Sequence, residues 1–101
     1  MKYLIDEVTW EDCPEEQVLV LNTDDKIRCK ISGNFSAETI WEKDGKPLPE
    51  RYVKEYDGIK ITSVNGKDRG NFSVRVVERR TESSQRRVIK VEVRGKNYYL
   101  Y

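Results

Sequence analysis

The stretch DRGNFSV at residues 68–74 decides how this chain is read. An acidic residue is followed two positions later by a glycine, and the chain then alternates: Asn71 polar, Phe72 apolar, Ser73 polar, Val74 apolar. A turn that feeds a half-buried strand has this pattern. Upstream, WEKDGKPLP begins at Trp41, and Cys29 stands twelve residues before that tryptophan. Cys29, Trp41, Phe72 and Val74 are therefore the expected centre of an apolar core.

The rest of the chain reads as β-structure. Short runs rich in Val, Ile, Tyr, Phe and Thr are separated by turn residues at 22–25, Gly33-Asn34, Asp44-Gly45, Asp57-Gly58, Asn65-Gly66 and Gly70. Strands are expected over 5–12, 17–21, 26–32, 38–43, 51–55, 58–63, 71–79 and 86–94. Alternation points Ile27, Cys29 and Ile31 inward, with Ile59, Ile61, Phe72, Val74, Val76, Ile89, Val91 and Val93. A chain of 101 residues is the size of one small domain. Charged and hydrophobic residues each make up 37 %, so apolar positions must be used economically. No apolar run approaches 18 residues, which argues against membrane insertion by this segment. MKYLIDEVTW mixes one lysine with acidic residues and does not read as a secretory leader; a secreted parent would carry its leader upstream.

CKIS, TIWEKDGKPL, GIKITSV and KDRGNFSV together resemble an immunoglobulin domain of the I-set. VTWEDCPEEQ, with Pro14 at a kink, and the long hairpin RVVERRTESSQRRVIKVEV narrow the resemblance. They are similar to the second immunoglobulin domain of the neural cell adhesion molecule and fasciclin II group. The resemblance implies an all-β, two-sheet Greek-key sandwich over residues 5–95. Residues 1–4 would be a linker or the end of a preceding segment, and 96–101 a linker or the start of a next element. In that family two cysteines tie the sheets together. Here Val74 replaces the second cysteine and Phe72 the usual tyrosine, so a sandwich without the usual disulfide is expected. Asn22 stands at a usual glycine turn, and Cys13 where a small residue is expected.

Two readings of the cysteines stay open. In a reducing compartment Cys29 is simply a small buried hydrophobe. Alternatively Cys13 and Cys29 form a relocated bridge, because strands 5–12 and 26–32 are antiparallel neighbours and a turn near 21–25 could set 13 opposite 29. Asn34-Phe35-Ser36 and Asn71-Phe72-Ser73 match the acceptor motif for N-glycosylation and point to an extracellular chain. Both asparagines also fit as ordinary turn and strand-end residues.

Net charge is only +1, but it is unevenly spread. Residues 1–57 hold 8 basic and 14 acidic side chains, whereas residues 75–101 hold 8 basic and 3 acidic. Alternation turns Arg75, Arg79, Arg86, Lys90 and Arg94 outward together, a basic stripe suited to a sulfated glycan or an acidic protein surface. The competing reading is a solvated face neutralised by Glu11, Asp12, Glu15 and Glu16. Aromatic residues do not interleave with the stripe, which argues against nucleic acid. The chain has no histidine, Gly-rich phosphate loop or plausible triad, so neither enzyme, metal nor cofactor chemistry is expected. The expectation is an adhesion or recognition module of a larger cell-surface protein, binding a protein partner, homophilic binding included, and sulfated glycan. The alternative is a cytoplasmic, sarcomeric domain of the titin and twitchin type, acting as spacer and docking site.

Overall fold

The computed structural model describes residues 8–33, 37–78 and 84–95. Among the described residues ten strands follow one another: β1 (Val8–Asp12), β2 (Glu16–Val20), β3 (Asp25–Arg28), β4 (Lys30–Gly33), β5 (Ala37–Lys43), β6 (Lys46–Pro47), β7 (Tyr52–Glu55), β8 (Gly58–Ile61), β9 (Gly70–Glu78) and β10 (Ser84–Arg94). One 3₁₀ turn, Gly66–Asp68, precedes β9.

Five strands form one sheet in the order β2-β10-β9-β5-β6. β3-β8-β7 and the pair β1-β4 make up the opposing layer. β2 runs parallel to β10, while β9 pairs antiparallel with both β10 and β5. This is a two-layer sandwich in which β1 and β2, adjacent in sequence, lie in different layers. Pro14, which lacks a backbone donor, sits at the crossover between them.

The core is built from the inward positions of both layers. Leu19, Ile27, Ile59, Ile61, Val64, Phe72, Val74, Ile89 and Val91 are essentially sealed from solvent, with Cys13, Cys29, Trp41 and Tyr52 nearly so. Ile31 and Val93 pack against this cluster only partly buried. Trp41 and Val74 are register partners on β5 and β9. Tyr52 stacks on Phe72 with ring centroids 5.9 Å apart. Backbone geometry agrees with the residue types at two tight positions. Asn22 takes the left-handed conformation (φ 66), which asparagine tolerates. Gly58 has φ 147, and an added Cβ would run into the Ile27 carbonyl oxygen.

The expectation of a sandwich without the usual disulfide is corrected by the structure: Cys29 is bonded to Cys13. The reason is register. Asp12 pairs with Lys30 across β1 and β4, which carries residue 13 to residue 29, with the two Cα atoms 3.9 Å apart. The second cysteine comes from the crossover between the layers instead of from β9. The expected run 26–32 is also broken into two strands, because the Cys29 N–H donates to the Asp57 carbonyl (2.9 Å) in the β7–β8 turn. The two-residue β6 is an addition to the expected set.

Candidate interaction surface

The outward face of the five-stranded sheet gathers most of the residues that the charge pattern singles out. On β10, alternate residues from Ser84 to Arg94 face away from the core, and on β9 Asn71, Ser73, Arg75 and Val77 do so. Register sets them in rows. Arg86 lies directly opposite Arg75, and Arg75 opposite Ile40. Val88 is opposite Ser73, and Ser73 opposite Glu42. Lys90 stands between Asn71 and Glu16. Arg94 lies at the far end of β10, beside Val20. Arg79 falls outside the described residues, as does the sequon at Asn34.

The side chains of Arg75, Arg86 and Lys90 make no ion pair among the described residues. Like charges directly opposite on neighbouring strands are destabilising, so Arg75 and Arg86 form an uncompensated pair. Ile40, Glu42, Ser73, Arg75 and Arg86 line a shallow recess there. Of the acidic segment, Glu11 and Asp12 are turned away from this recess, while Glu16 stands beside Lys90 on the same outer face. Glu11 and Asp12 reach cations of the other layer, Lys30 (3.7 Å) and Arg28 (3.2 Å). Lys26 in that layer is likewise held by Glu55 and Asp57, both at 2.8 Å. These partners, Asp57 foremost, push the Lys26 ammonium further up and hold the Asp57 carboxyl down. Lys26, Arg28 and Lys30 are thus locally paired on one face of the sandwich, whereas Arg75 and Arg86 on the other make no ion pair among the described residues.

The same outer face carries aliphatic side chains that the charge reading passed over. Ile40, Val18 and Val88 expose 37, 43 and 45 % of their surface, each on a different strand. The signal was present in the alternation, since each directly precedes an inward residue: Trp41, Leu19 and Ile89.

Two polar side chains inside the sandwich hold the frame. Asp68 is 1 % exposed. It accepts hydrogen bonds from the Tyr52 hydroxyl (2.5 Å), the Asn65 N–H (2.8 Å) and the Arg51 guanidinium. Burial alone would raise its carboxyl; the three donors outweigh burial and hold it below the ordinary aspartate range. Burial first, then the Asp68 carboxylate, pushes the Tyr52 phenol above its ordinary value. Phe72 lacks a hydroxyl, and Tyr52, stacked upon it, supplies a buried one. Gln17, also buried, donates to the carbonyls of Pro14 (3.1 Å) and Arg28 (2.7 Å) and accepts from the Arg28 N–H (2.8 Å). Nearby, the Arg87 guanidinium lies 4.8 Å from the Trp10 ring centroid and donates to the Cys13 carbonyl (2.8 Å).

A cleft of about 420 Å³ opens between the edges of β5 and β7, walled by Cys29, Ile31, Trp41 and Val74 and rimmed by Lys54 and Tyr56. The Lys54 ammonium spans it to the Thr39 carbonyl (2.6 Å). Among the described residues no group of three or more acidic, cysteine or histidine side chains is placed to hold a metal ion. No helix among them is long and apolar enough to cross a membrane.

Comparison with known proteins agrees with this geometry. The sequence model of the immunoglobulin I-set domain matches residues 8–93. Fasciclin-2 of Schistocerca americana is 40 % identical over 88 residues, which cover 85 % of this chain but 10 % of that protein. The chain thus spans about a tenth of the length of this relative. Among solved structures, the insect immune protein hemolin, described as a domain arrangement with implications for homophilic adhesion, superposes with a TM-score of 0.73. Its identity is 25 %, over 86 % of this chain and 22 % of hemolin. The immunoglobulin domains 1–5 of Sidekick-1 give a TM-score of 0.74 at 20 % identity, over 88 % of this chain and 20 % of that one. The titin M10–obscurin-like 1 complex shares the fold alone, at TM-score 0.70 and 20 % identity, over 87 % of this chain and 94 % of that one.

Proposed function

The chain belongs to the immunoglobulin I-set family, and from that premise we propose that it is a non-enzymatic adhesion or recognition module of a larger cell-surface protein. Its docking surface is the outer face of the five-stranded sheet, and its partner is a protein, with a second copy of the same chain as the first candidate. The observation that carries this reading is the combination on that face of two exposed aliphatics, Ile40 and Val88, with the opposed pair Arg75 and Arg86 in the same and the adjacent rows. Apolar anchors beside arginines are what protein interfaces favour. The likeness to hemolin, discussed in terms of homophilic adhesion, supports the choice of partner. The Cys13–Cys29 bridge supports an oxidising, extracellular setting over the sarcomeric alternative, since disulfides are rare in reducing compartments.

The test is aggregation of beads coated with the secreted chain. Wild-type beads should cluster, and an Ile40→Asp, Val88→Asp double variant should not, while both keep the same β-sheet circular dichroism. Equal clustering by the two would remove the outer face from the account.

A second reading rests on Arg75 and Arg86 alone. Opposed guanidinium groups with no carboxylate partner suit a sulfated glycan. Retention on a heparin-like column at low salt, lost steeply as salt rises, would support it, because each anionic contact releases counterions.

A further inference from the structure

We propose that Asn71 is a site of N-linked glycosylation and that its sugar covers the Lys90 end of the outer face, leaving the Arg75–Arg86 end open to the partner. The inference rests on the extracellular reading above. Of the described asparagines, Asn22, Asn65 and Asn71, only Asn71 is followed two positions later by serine or threonine, with Phe72, not proline, between. The structure places that motif where an acceptor can remain glycosylated after folding. Asn71 is exposed at the start of β9, whereas Phe72 is fully buried. Its backbone is held on both sides by Asp44: the Asn71 N–H donates to the Asp44 carboxylate (2.9 Å), and the Asp44 N–H donates to the Asn71 carbonyl (2.7 Å). The side-chain amide makes no hydrogen bond among the described residues, so no structural duty competes with modification. The neighbouring turn residue Gly45 has open space around it.

The step is a group transfer from a lipid-pyrophosphate-linked oligosaccharide. The bond between the first sugar's C1 and the pyrophosphate oxygen breaks, and a bond from C1 to Nδ2 of Asn71 forms. The lipid pyrophosphate leaves with the electron pair, and the proton lost by Nδ2 passes to a carboxylate of the transferring enzyme. Across the sheet from Asn71 stands Lys90 and beyond it Glu16, so the sugar rises over that row. Arg75 is two register rows further along β9.

The chain should be secreted from eukaryotic cells behind a leader peptide, with Asn34→Gln removing the other sequon. The expected result is a glycan on the peptide containing Asn71, removed by peptide N-glycosidase to leave aspartate at that position. Ser73→Ala should abolish it while the protein is still secreted with no free thiol. Secreted, oxidised Asn34→Gln protein with an unmodified Asn71 would overturn the proposal. A failure of the extracellular reading would appear separately, as two free thiols in the chain isolated from its natural source.

Discussion

At the scale of single residues, Val74 and Cys13 exchange roles relative to the family pattern, while Cys29 keeps its own. β9 offers a valine where a cysteine is usual, and its branched side chain packs beside Trp41 with 1 % exposure. Val74→Ala should lower stability by about 1–3 kcal/mol through the cavity it opens, read from the urea midpoint. The bridge closes a loop of sequence separation 16, which corresponds to about 3 kcal/mol of constraint on the unfolded chain. Cys13→Ala should therefore shift the midpoint comparably, and the unfolded, non-reduced wild type should show no free thiols. Asp68 and Tyr52 fix the pH dependence. The Asp68 carboxyl is held below its ordinary value, so its contribution is complete above about pH 4 and is lost as pH falls through the folded value. The Tyr52 phenol is shifted up, so its contribution is complete below about pH 10 and is lost as pH rises through its folded value. Urea midpoints between about pH 2 and 5 should fall for the wild type and vary less for Asp68→Asn.

At the scale of elements, the clip between β2 and the β3–β4 strand is the informative feature. Gln17 bonds both the N–H and the carbonyl of Arg28, standing in for a strand neighbour where the ladder breaks at Cys29. Gln17→Leu should destabilise by about 1–3 kcal/mol, because it strands part-buried backbone groups of Arg28, and hydrogen exchange at Arg28 should accelerate. The sequence shows little of this. Period-two alternation locates the strands and the inward faces from Ile27 to Val91, because a sheet with one wet face imposes that pattern on apolar residues. A lone buried polar residue such as Gln17 or Asp68 carries no periodicity, and its burial depends on backbone groups brought from elsewhere. The two-residue β6 is too short to leave a pattern. The relocated bridge was legible as one of two alternatives; the Asp12–Lys30 register turned it into a contact.

At the scale of the whole molecule, the two faces of the sandwich divide the labour. One layer pairs three of its cations locally, Arg28 with Asp12, Lys30 with Glu11, and Lys26 with Glu55 and Asp57. The other leaves Arg75, Arg86 and Lys90 unpaired beside exposed aliphatics. The outward direction of these cations follows from alternation. Their exact opposition does not, because it depends on how β9 and β10 are registered across the sheet. The absence of help from Glu11 and Asp12 depends on which layer β1 joins. Arg75→Glu with Arg86→Glu should change stability little, since surface substitutions usually stay within about 0.5 kcal/mol, yet it should weaken retention on a sulfated polymer.

If the outer face docks the partner as proposed, bead aggregation with matched face variants reports it. Beads bearing the wild-type chain should cluster. Beads bearing Ile40→Asp with Val88→Asp should stay dispersed, while beads with Val53→Asp, an exposed valine on the opposite layer, should cluster like wild type. Loss of clustering by Val53→Asp with retention by the Ile40, Val88 pair would place the interface on the other layer and contradict the account.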